Sequence, residues 1–147
     1  MIIGVGVDLC MISRIQNILD REGPDGAFFR RAFTAAEQAE AAARHDKAAF
    51  YAARFAVKEA VFKAVGPHTS NGFDFRCVES LHRPDGSPYV NITDGLRPYL
   101  EEAGVTSLHL SVTTEGDMGD LVGGFGSDLI LDEGDELLIG GASNDKE

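Results

Sequence analysis

The stretch ARFAVKEAVFKAVG at residues 53–66 belongs to the longest helix that the sequence predicts, and the other elements can be arranged around it. Asp46 is suited to the N-cap of this helix and Gly66-Pro67 ends it, so the predicted helix covers about residues 47–65. Apolar side chains cover one side of the helix. Charged side chains share faces in pairs at i,i+4 spacing, Arg54 with Lys58 and Glu59 with Lys63.

The charged pairs have an ordinary interpretation and a functional one. As a solvated helix face, the Glu59–Lys63 pair would stabilise the helix by about 0.2–0.5 kcal/mol. Most charged helix faces in proteins are simply surface. The alternative is that these charges form part of a site, and the choice depends on what lies near them in the fold.

Asp8 bears on this choice because it lies near the end of an otherwise apolar predicted strand, IIGVGVDL at residues 2–9. A carboxylate there must be paired or lie at an edge of the sheet, since burying it alone is costly. It could cap the helix that begins near Met11. It could instead join Glu59 in a Mg²⁺ site completed by phosphate oxygens and water. Spacing alone leaves both interpretations open.

Other local signals complete a predicted order β-α-α-α-β-β-α-β-β. Ile12 and Ile15 recur at helical spacing after the first strand, and Thr34 with Glu37 forms a capping box that opens a helix over 35–44. The turn RPDG at 83–86 indicates a hairpin. Further strands are predicted at 74–82, 88–93, 107–114 and about 121–125, with a short helix at 95–103. We therefore expect an α+β fold in which a mostly antiparallel sheet packs with the long helix.

The composition of the 147 residues is typical of a cytoplasmic protein with a single domain over 1–147. With 44% hydrophobic residues the chain can build a core, and the tail from about residue 140 is expected to be disordered. No apolar run reaches the roughly 18 residues of a membrane span, and the first ten residues lack the basic start of a signal peptide. Cys10 and Cys77 are expected to be free thiols.

The net charge of −11 is unevenly distributed along the chain. Residues 1–65 carry a net charge of +1, whereas residues 66–147 carry −12. An acidic chain lacks the broad cationic surface that sequence-independent nucleic-acid binding requires. Basic residues in the first half, including Arg14, Arg21 and Arg54, could meet a small anionic ligand or an acidic protein.

Four motifs resemble, in order, those of the holo-(acyl carrier protein) synthases, a family of 4′-phosphopantetheinyl transferases. They are GVDL and ISRI within 6–15, FT followed by Glu37 at 33–37, ARFAVKEAVFKAVG at 53–66, and GSPY at 86–89. The third motif is the most diagnostic. The resemblance covers about residues 2–114 and implies the fold and the activity of that family.

The resemblance implies a Mg²⁺-dependent transfer of the 4′-phosphopantetheine arm of coenzyme A to a serine of an apo acyl carrier protein, with release of adenosine 3′,5′-bisphosphate. It implies that Asp8 and Glu59 bind the metal and that Lys63 lies beside the phosphates, so these three residues form the expected catalytic set. Glu59, directly or through water, is the expected base for the serine hydroxyl. Five residues are expected to contact the nucleotide: Arg54, Lys58, Asp85, Gly86 and Pro88.

The same resemblance implies two kinds of protein partner. Arg14 and Arg21, on the helix after the first strand, would bind an acidic helix of a carrier protein of the fatty-acid or polyketide type. Members of the family form homotrimers with active sites at subunit boundaries. A homotrimer is therefore expected here.

The sequence departs from the family pattern near its C-terminus. Thr114 stands where the family carries a histidine, and residues 126–147 exceed what the resemblance explains. The alternative prediction is therefore a homologue that binds coenzyme A or a carrier protein without catalysis. The presence of Asp8, Glu59 and Lys63 together favours the enzyme.

Overall fold

The computed structural model describes residues 1–70, 72–115 and 124–132. The helices are α1 (Ile12–Glu22), α2 (Ala27–Ala32), α3 (Ala35–Ala42), α4 (Lys47–Val65) and α5 (Arg97–Ala103). The strands are β1 (Ile2–Met11), β2 (Val78–His82), β3 (Pro88–Ile92), β4 (Ser107–Glu115) and β5 (Gly124–Asp132). Single turns of 3₁₀ helix lie at Gly66–His68 and Phe75–Cys77.

The strands of the described residues pair in antiparallel fashion throughout. β5 lies between β1 and β4 in a three-stranded sheet, and β2 pairs with β3 in a separate hairpin. The register sets Asp8 of β1 opposite Ser127 of β5, which in turn lies opposite Val112 of β4. The predicted α+β fold, with antiparallel strands and a long helix, is confirmed.

Helix α4 lies at the centre of this fold and has the predicted bounds. Asp46 accepts a hydrogen bond from the backbone N–H of Ala49 at 3.1 Å, and the helix ends at Gly66. α4 packs across β1 and β5. The approach of β1 is so close that a Cβ on Gly6 would lie 1.9 Å from the Ala60 carbonyl oxygen. Glycine at this position therefore allows β1 to lie against the middle of α4.

Helix α2 is absent from the predicted order of elements. Its six residues bury Phe29 against Tyr51 of α4, with ring centroids 4.7 Å apart. Phe33, just after α2, packs on the same tyrosine with a centroid distance of 4.5 Å. A helix this short is unstable in isolation, so aromatic packing and not helix propensity explains its formation.

Two predicted strands differ from the observed ones. Residues 75–77 of the predicted strand 74–82 form a 3₁₀ turn, and the strand begins at Val78. Among the described residues the last strand is Gly124–Asp132, which overlaps the predicted strand 121–125 only at 124–125, and residues 121–123 lie outside the described residues. The expected extension beginning at residue 126 therefore contains most of the central strand of the sheet. The rest of that extension, including the predicted tail from about residue 140, lies outside the described residues.

The two cysteines are free thiols, as predicted. Burial raises the pKa of Cys10 to about 11, so its thiol stays protonated at neutral pH. In the part of the chain that the structure describes, no helix combines the length and the apolar character that a membrane span needs.

Candidate active site

Asp8 and Lys63 form an ion pair where β1 lies against α4. The Lys63 ammonium lies 2.6 Å from Asp8 Oδ1 and also donates to the Val7 carbonyl oxygen at 3.4 Å. The carboxylate is largely covered, whereas the Lys63 side chain is 55% exposed. Helix α1 begins after Met11 without a side-chain cap, so the alternative in which Asp8 caps this helix is wrong.

Glu59 lies one helical turn before Lys63, and its surroundings raise its affinity for a proton. Burial raises the pKa of the Glu59 carboxyl and the nearby Asp8 carboxylate raises it further, while the charges of Arg14 and Lys63 lower it. Arg14 Nη1 lies 3.7 Å from Glu59 Oε1. A carboxylate with a raised pKa accepts a proton more readily near neutral pH, which suits a general base.

Asp8 and Glu59 together provide two carboxylates for a cation. Asp8 Oδ2 is buried and has no hydrogen-bond partner among the described residues, so a cation would satisfy it. The same described residues contain no group of three or more His, Cys, Asp or Glu side chains that could hold a metal. Two carboxylates with other positions left to phosphate oxygens and water match Mg²⁺, which seldom occupies an all-protein cage. The residues therefore fit Mg²⁺ bound together with a phosphate-bearing ligand.

A cavity of about 300 Å³ lies beside the N-terminal half of α4. Its lining combines apolar side chains with polar and charged ones: Phe50, Ala53, Val57 and Val112 together with Arg44, Arg54, Ser80 and His82. Ligand sites typically combine an apolar wall with a few polar groups that fix the orientation of the ligand. An aromatic base and a phosphate group would suit this combination of apolar and polar side chains.

Arg54 is the buried cation of this cavity, with a side chain only 4% exposed. Its Nη2 donates to His82 Nδ1 at 2.6 Å and lies 3.5 Å from Glu40 Oε1. The guanidinium carbon lies 3.7 Å from the centroid of the Phe50 ring. Arg54 Nε is buried and has no partner within the described ranges, so the protein leaves one N–H of the guanidinium unsatisfied.

Lys58 does not share an exposed face with Arg54. Its ammonium is fully buried, 2.8 Å from Glu37 Oε1, and donates to the carbonyl oxygens of Phe75 and Val78. Burial lowers the pKa of Lys58, and the Glu37 carboxylate opposes that effect. Its three N–H groups are therefore engaged in the interior. The predicted contact between Lys58 and a nucleotide does not fit the structure, in which Lys58 pairs with Glu37 instead.

Glu37 joins three elements beneath the cavity. The predicted capping box is present, because the Glu37 carboxylate accepts from the Thr34 backbone N–H at 2.8 Å and the Thr34 hydroxyl accepts from the Glu37 N–H at 3.2 Å. The second carboxylate oxygen accepts from the Ser80 N–H at 2.8 Å. Glu37 therefore connects α3 to Lys58 of α4 and to β2.

The hairpin turn between β2 and β3 holds the other predicted nucleotide contacts. Pro88 contributes to the lining of the cavity, whereas Asp85 and Gly86 lie in the exposed turn outside that lining. Asp85 accepts from the backbone N–H of Ser87 at 2.9 Å and from its hydroxyl at 2.7 Å, and these bonds lower the pKa of Asp85. Gly86 has a φ of +91°, which favours glycine. Asp85 and Gly86 thus shape the turn beside the cavity.

Helix α1 presents positive charge next to Glu59. Arg14 is 54% exposed, and its guanidinium carbon lies 5.1 Å from the centroid of the Phe55 ring. Arg21 is exposed in the last turn of the helix. Ile12 and Ile15 bury the opposite side of α1.

Three residues around Arg54 escape sequence-based prediction, namely Glu40, Arg44 and His82. Glu40 and Arg44 lie near the end of α3 and His82 lies at the end of β2, so no sequence spacing brings the three together around Arg54 before the fold is known. The position of His82 just before a predicted hairpin turn was the one available signal. Thr114 lies in β4 opposite Phe125, so the position of the expected histidine belongs to the three-stranded sheet.

Comparisons with known proteins relate the chain to one family. Residues 4–119 match the family model of the 4′-phosphopantetheinyl transferase superfamily. The holo-[acyl-carrier-protein] synthase of Methylorubrum extorquens is 41% identical over 119 residues, which cover 78% of this chain and 86% of that protein. The crystal structure of the Neisseria meningitidis synthase aligns with a TM-score of 0.75 at 27% identity, over 90% of this chain and 100% of that one.

A further solved structure resembles this chain in fold alone. It is the Bacillus anthracis holo-(acyl-carrier-protein) synthase in complex with coenzyme A (3′,5′-ADP). It aligns with a TM-score of 0.62 at 23% identity, over 91% of this chain and 99% of that one.

Proposed function

Since the chain belongs to the 4′-phosphopantetheinyl transferase superfamily and is an enzyme of the holo-(acyl carrier protein) synthase type, we propose that it transfers the 4′-phosphopantetheine arm of coenzyme A to a serine of an apo acyl carrier protein. Adenosine 3′,5′-bisphosphate is the proposed second product. The proposed carrier protein is of the fatty-acid or polyketide type. We place the reaction in the cytoplasm, where free thiols such as Cys10 and Cys77 are the ordinary state.

The observation that supports this function best is the convergence of Asp8, Glu59 and Lys63 where β1 meets α4. Phosphoryl transfer depends on positioning and on stabilising the charge of the phosphate oxygens. Two carboxylates able to hold a cation, together with an ammonium group beside them, supply both requirements. An exposed Glu–Lys pair on a solvated helix face would not include a buried carboxylate from a strand.

We propose Asp8 and Glu59 as the ligands of Mg²⁺, and the unpartnered Asp8 Oδ2 supports this assignment. When bound, Mg²⁺ supplies Lewis-acid polarisation of a phosphoryl oxygen and holds the pyrophosphate in place. Lys63 has a half-exposed side chain, so it can turn from Asp8 to the phosphate oxygens and neutralise the leaving group. Glu59 is the proposed base for the serine hydroxyl, directly or through water, and its raised pKa suits that role.

The nucleotide of coenzyme A is proposed to bind in the cavity beside α4. Arg54 supplies a buried positive charge with an unused N–H, and Pro88 forms part of the lining. Asp85 and Gly86 would contact the nucleotide from the adjoining turn. Coenzyme A as the substrate follows from the family to which the chain belongs and from its 41% identity to a holo-[acyl-carrier-protein] synthase.

The carrier protein is proposed to bind at α1. Arg14 and Arg21 lie on its exposed side, and Arg14 also contacts Glu59, so a protein bound there would lie next to the site of transfer. Positive charge on an exposed helix accelerates association with an acidic partner, and salt weakens that effect.

A homotrimer is the proposed assembly. The outer face of β1 exposes three large apolar side chains, Val5, Val7 and Leu9, which are 55%, 59% and 58% exposed. A contiguous apolar strand face on a protein surface usually indicates an interaction site. Identical copies of the chain would cover this face on one another.

Intact-mass spectrometry of an apo acyl carrier protein tests the function directly. Incubation with this protein, coenzyme A and Mg²⁺ should add the mass of one phosphopantetheine group to the carrier, and EDTA should prevent the addition. Glu59→Gln should slow the transfer by at least about 10²-fold, since it removes the proposed base and a metal ligand. Glu101→Gln, on the exposed side of α5, is the matched control and should keep wild-type activity.

The competing function is a module that binds coenzyme A or a carrier protein without transferring the arm, and Thr114 in the place of the expected histidine favours it. Under that function coenzyme A binds, but no tested carrier protein gains mass. Full activity of Glu59→Gln would refute the catalytic assignment even if the wild type transfers the arm.

A further inference from the structure

His82, the last residue of β2, lies at the exposed rim of the cavity and is bonded to Arg54. The Arg54 guanidinium donates from Nη2 to His82 Nδ1 at 2.6 Å. A guanidinium has no acceptor atom, so Nδ1 must present its lone pair, and the proton of the neutral ring is on Nε2. The bond therefore exists only while His82 is neutral.

Few other contacts fix the direction of the Arg54 guanidinium. Glu40 Oε1 lies 3.5 Å from the same Nη2, which is a weak hydrogen bond, and the Phe50 ring supports only the flat face of the group. Nε is buried and unpartnered among the described residues. Since His82 holds one end of the guanidinium, it fixes the direction of the whole planar group beside the cavity.

We propose that His82 is a positioning residue for Arg54: the neutral imidazole orients the guanidinium toward an anionic group of the nucleotide, and protonation of His82 releases it. This proposal rests on the proposed binding of coenzyme A in the cavity and adds a pH dependence to that binding. Coenzyme A binds tightly at neutral pH and more weakly when His82 carries a proton.

The charges around His82 keep it neutral at pH 7. The groups that face it are Arg54 on α4, Glu40 on α3 and Arg44 after α3, with Arg83 next in the chain and uncharged Pro88 opposite on β3. Partial burial and the Arg54 charge lower the pKa of His82, Arg44 acts in the same direction, and Glu40 opposes them. The ring therefore gains its proton only below the ordinary histidine value of about 6.5.

¹⁵N-histidine NMR of the full chain tests the bond independently of any activity. At pH 7.5 His82 should show the Nε2–H tautomer, and its pKa should lie below the ordinary value. Arg54→Leu removes the donor and the neighbouring charge, so it should raise the pKa of His82. An Nδ1–H tautomer, or a pKa that Arg54→Leu leaves unchanged, would overturn the proposal.

Calorimetric titration with coenzyme A tests the consequence for the ligand. His82→Leu, which removes the acceptor, should weaken binding about tenfold at pH 7.5, the size expected for a hydrogen bond to a charged group. His82→Asn keeps a side-chain oxygen that can accept from Arg54, so it should restore the affinity. His68→Asn changes an exposed histidine that does not line the cavity and is the control.

The pH profile separates positioning from a merely structural role. Between pH 7.5 and 5.5 the affinity of the wild type for coenzyme A should fall relative to the affinity of His82→Asn. The titration of coenzyme A itself affects both proteins equally, so it cancels in this comparison. Affinity that rises on acidification in the wild type alone would overturn the proposal, since His82 would then bind the anion as a cation. Wild-type affinity in His82→Leu would overturn it as well.

Failure of the proposed function has a different signature. In that case the wild type does not transfer the arm or does not bind coenzyme A, and no ligand affinity remains for His82 to tune. The NMR experiment still reports whether His82 holds Arg54.

Discussion

At Glu59, neighbouring charges act on one carboxyl group in opposite directions. Burial and the Asp8 carboxylate raise the pKa of Glu59, and Arg14, 3.7 Å away, lowers it. In the metal-free protein we expect Glu59 to titrate above its ordinary value of 4.5, and Arg14→Ala to raise its pKa further. Carbon-13 NMR of the carboxyl groups in the presence of EDTA measures both values.

Arg21→Ala is the control for this titration, because Arg21 lies on the same helix but is not among the charges that act on Glu59. It should leave the Glu59 pKa unchanged. A Glu59 carboxyl that titrates at or below the ordinary value would contradict its partly buried position beside Asp8.

Individual residues also show where sequence-based prediction ends. The motif and the charge types identify Asp8, Glu59 and Lys63, and the structure brings Asp8 and Lys63 into contact. Lys58 is different, because spacing places it one turn from Arg54 but does not tell which element covers it. Glu37 covers it, through a contact 21 positions away in the sequence that only the tertiary fold creates.

At the scale of elements, the buried pair of Glu37 and Lys58 connects α3, α4 and β2. Lys58→Met would leave the Glu37 carboxylate buried without its counter-charge and should lower the free energy of unfolding by about 3–5 kcal/mol. The double variant with Glu37→Gln and Lys58→Met leaves no such charge and should recover most of the loss. Denaturant unfolding measures all three proteins.

Lys47→Met, at the first position of α4, is the control for the loss of a lysine and should change the stability little, because its ammonium bonds only an exposed carbonyl. A single Lys58→Met variant as stable as the wild type would show that the pair contributes nothing to joining these elements.

The packing of β1 on α4 gives a second prediction for elements. Gly6→Ala would place a Cβ 1.9 Å from the Ala60 carbonyl oxygen, so the strand must move away from the helix. We expect a loss of about 1–3 kcal/mol or more, as for overpacked cores, and a lower melting temperature. Gly66→Ala has its nearest neighbour at 4.0 Å and should melt near the wild type.

A Gly6→Ala protein that melts with the wild type would show that β1 does not approach α4 this closely. A Gly6→Ala protein that is stable but transfers the arm more slowly would instead indicate that the substitution displaces Asp8, which lies on the same strand.

The helices and strands differ in how far the local sequence alone predicts them. α4 is predictable in full, because Asp46 and Gly66 mark both ends within the sequence of the helix. The hairpin of β2 and β3 follows from its turn. α2 depends on packing against Tyr51, and β5 depends on pairing with β1 and β4. Local sequence signals therefore predict these two elements poorly or not at all.

For the whole molecule, the exposed apolar face of β1 predicts the state of assembly. Val5→Glu puts a charge on this face without touching the core, so it should dissociate the proposed trimer into smaller species. Light scattering coupled to size-exclusion chromatography measures the mass. Thr113→Glu, an exposed change on β4, should leave the mass unchanged. A wild-type protein that is monomeric at micromolar concentration would contradict the assembly.

The central place of β5 has a consequence for synthesis. β1 is made first, yet its partner in the sheet is β5, so the ribosome must release residues up to 132 before β1 can pair. Until then the backbone N–H and C=O groups of β1 lack their partner strand, and α4 can form only with an unpaired strand beside it. A stop codon before residue 124 would abolish catalysis while leaving every proposed catalytic residue in the product.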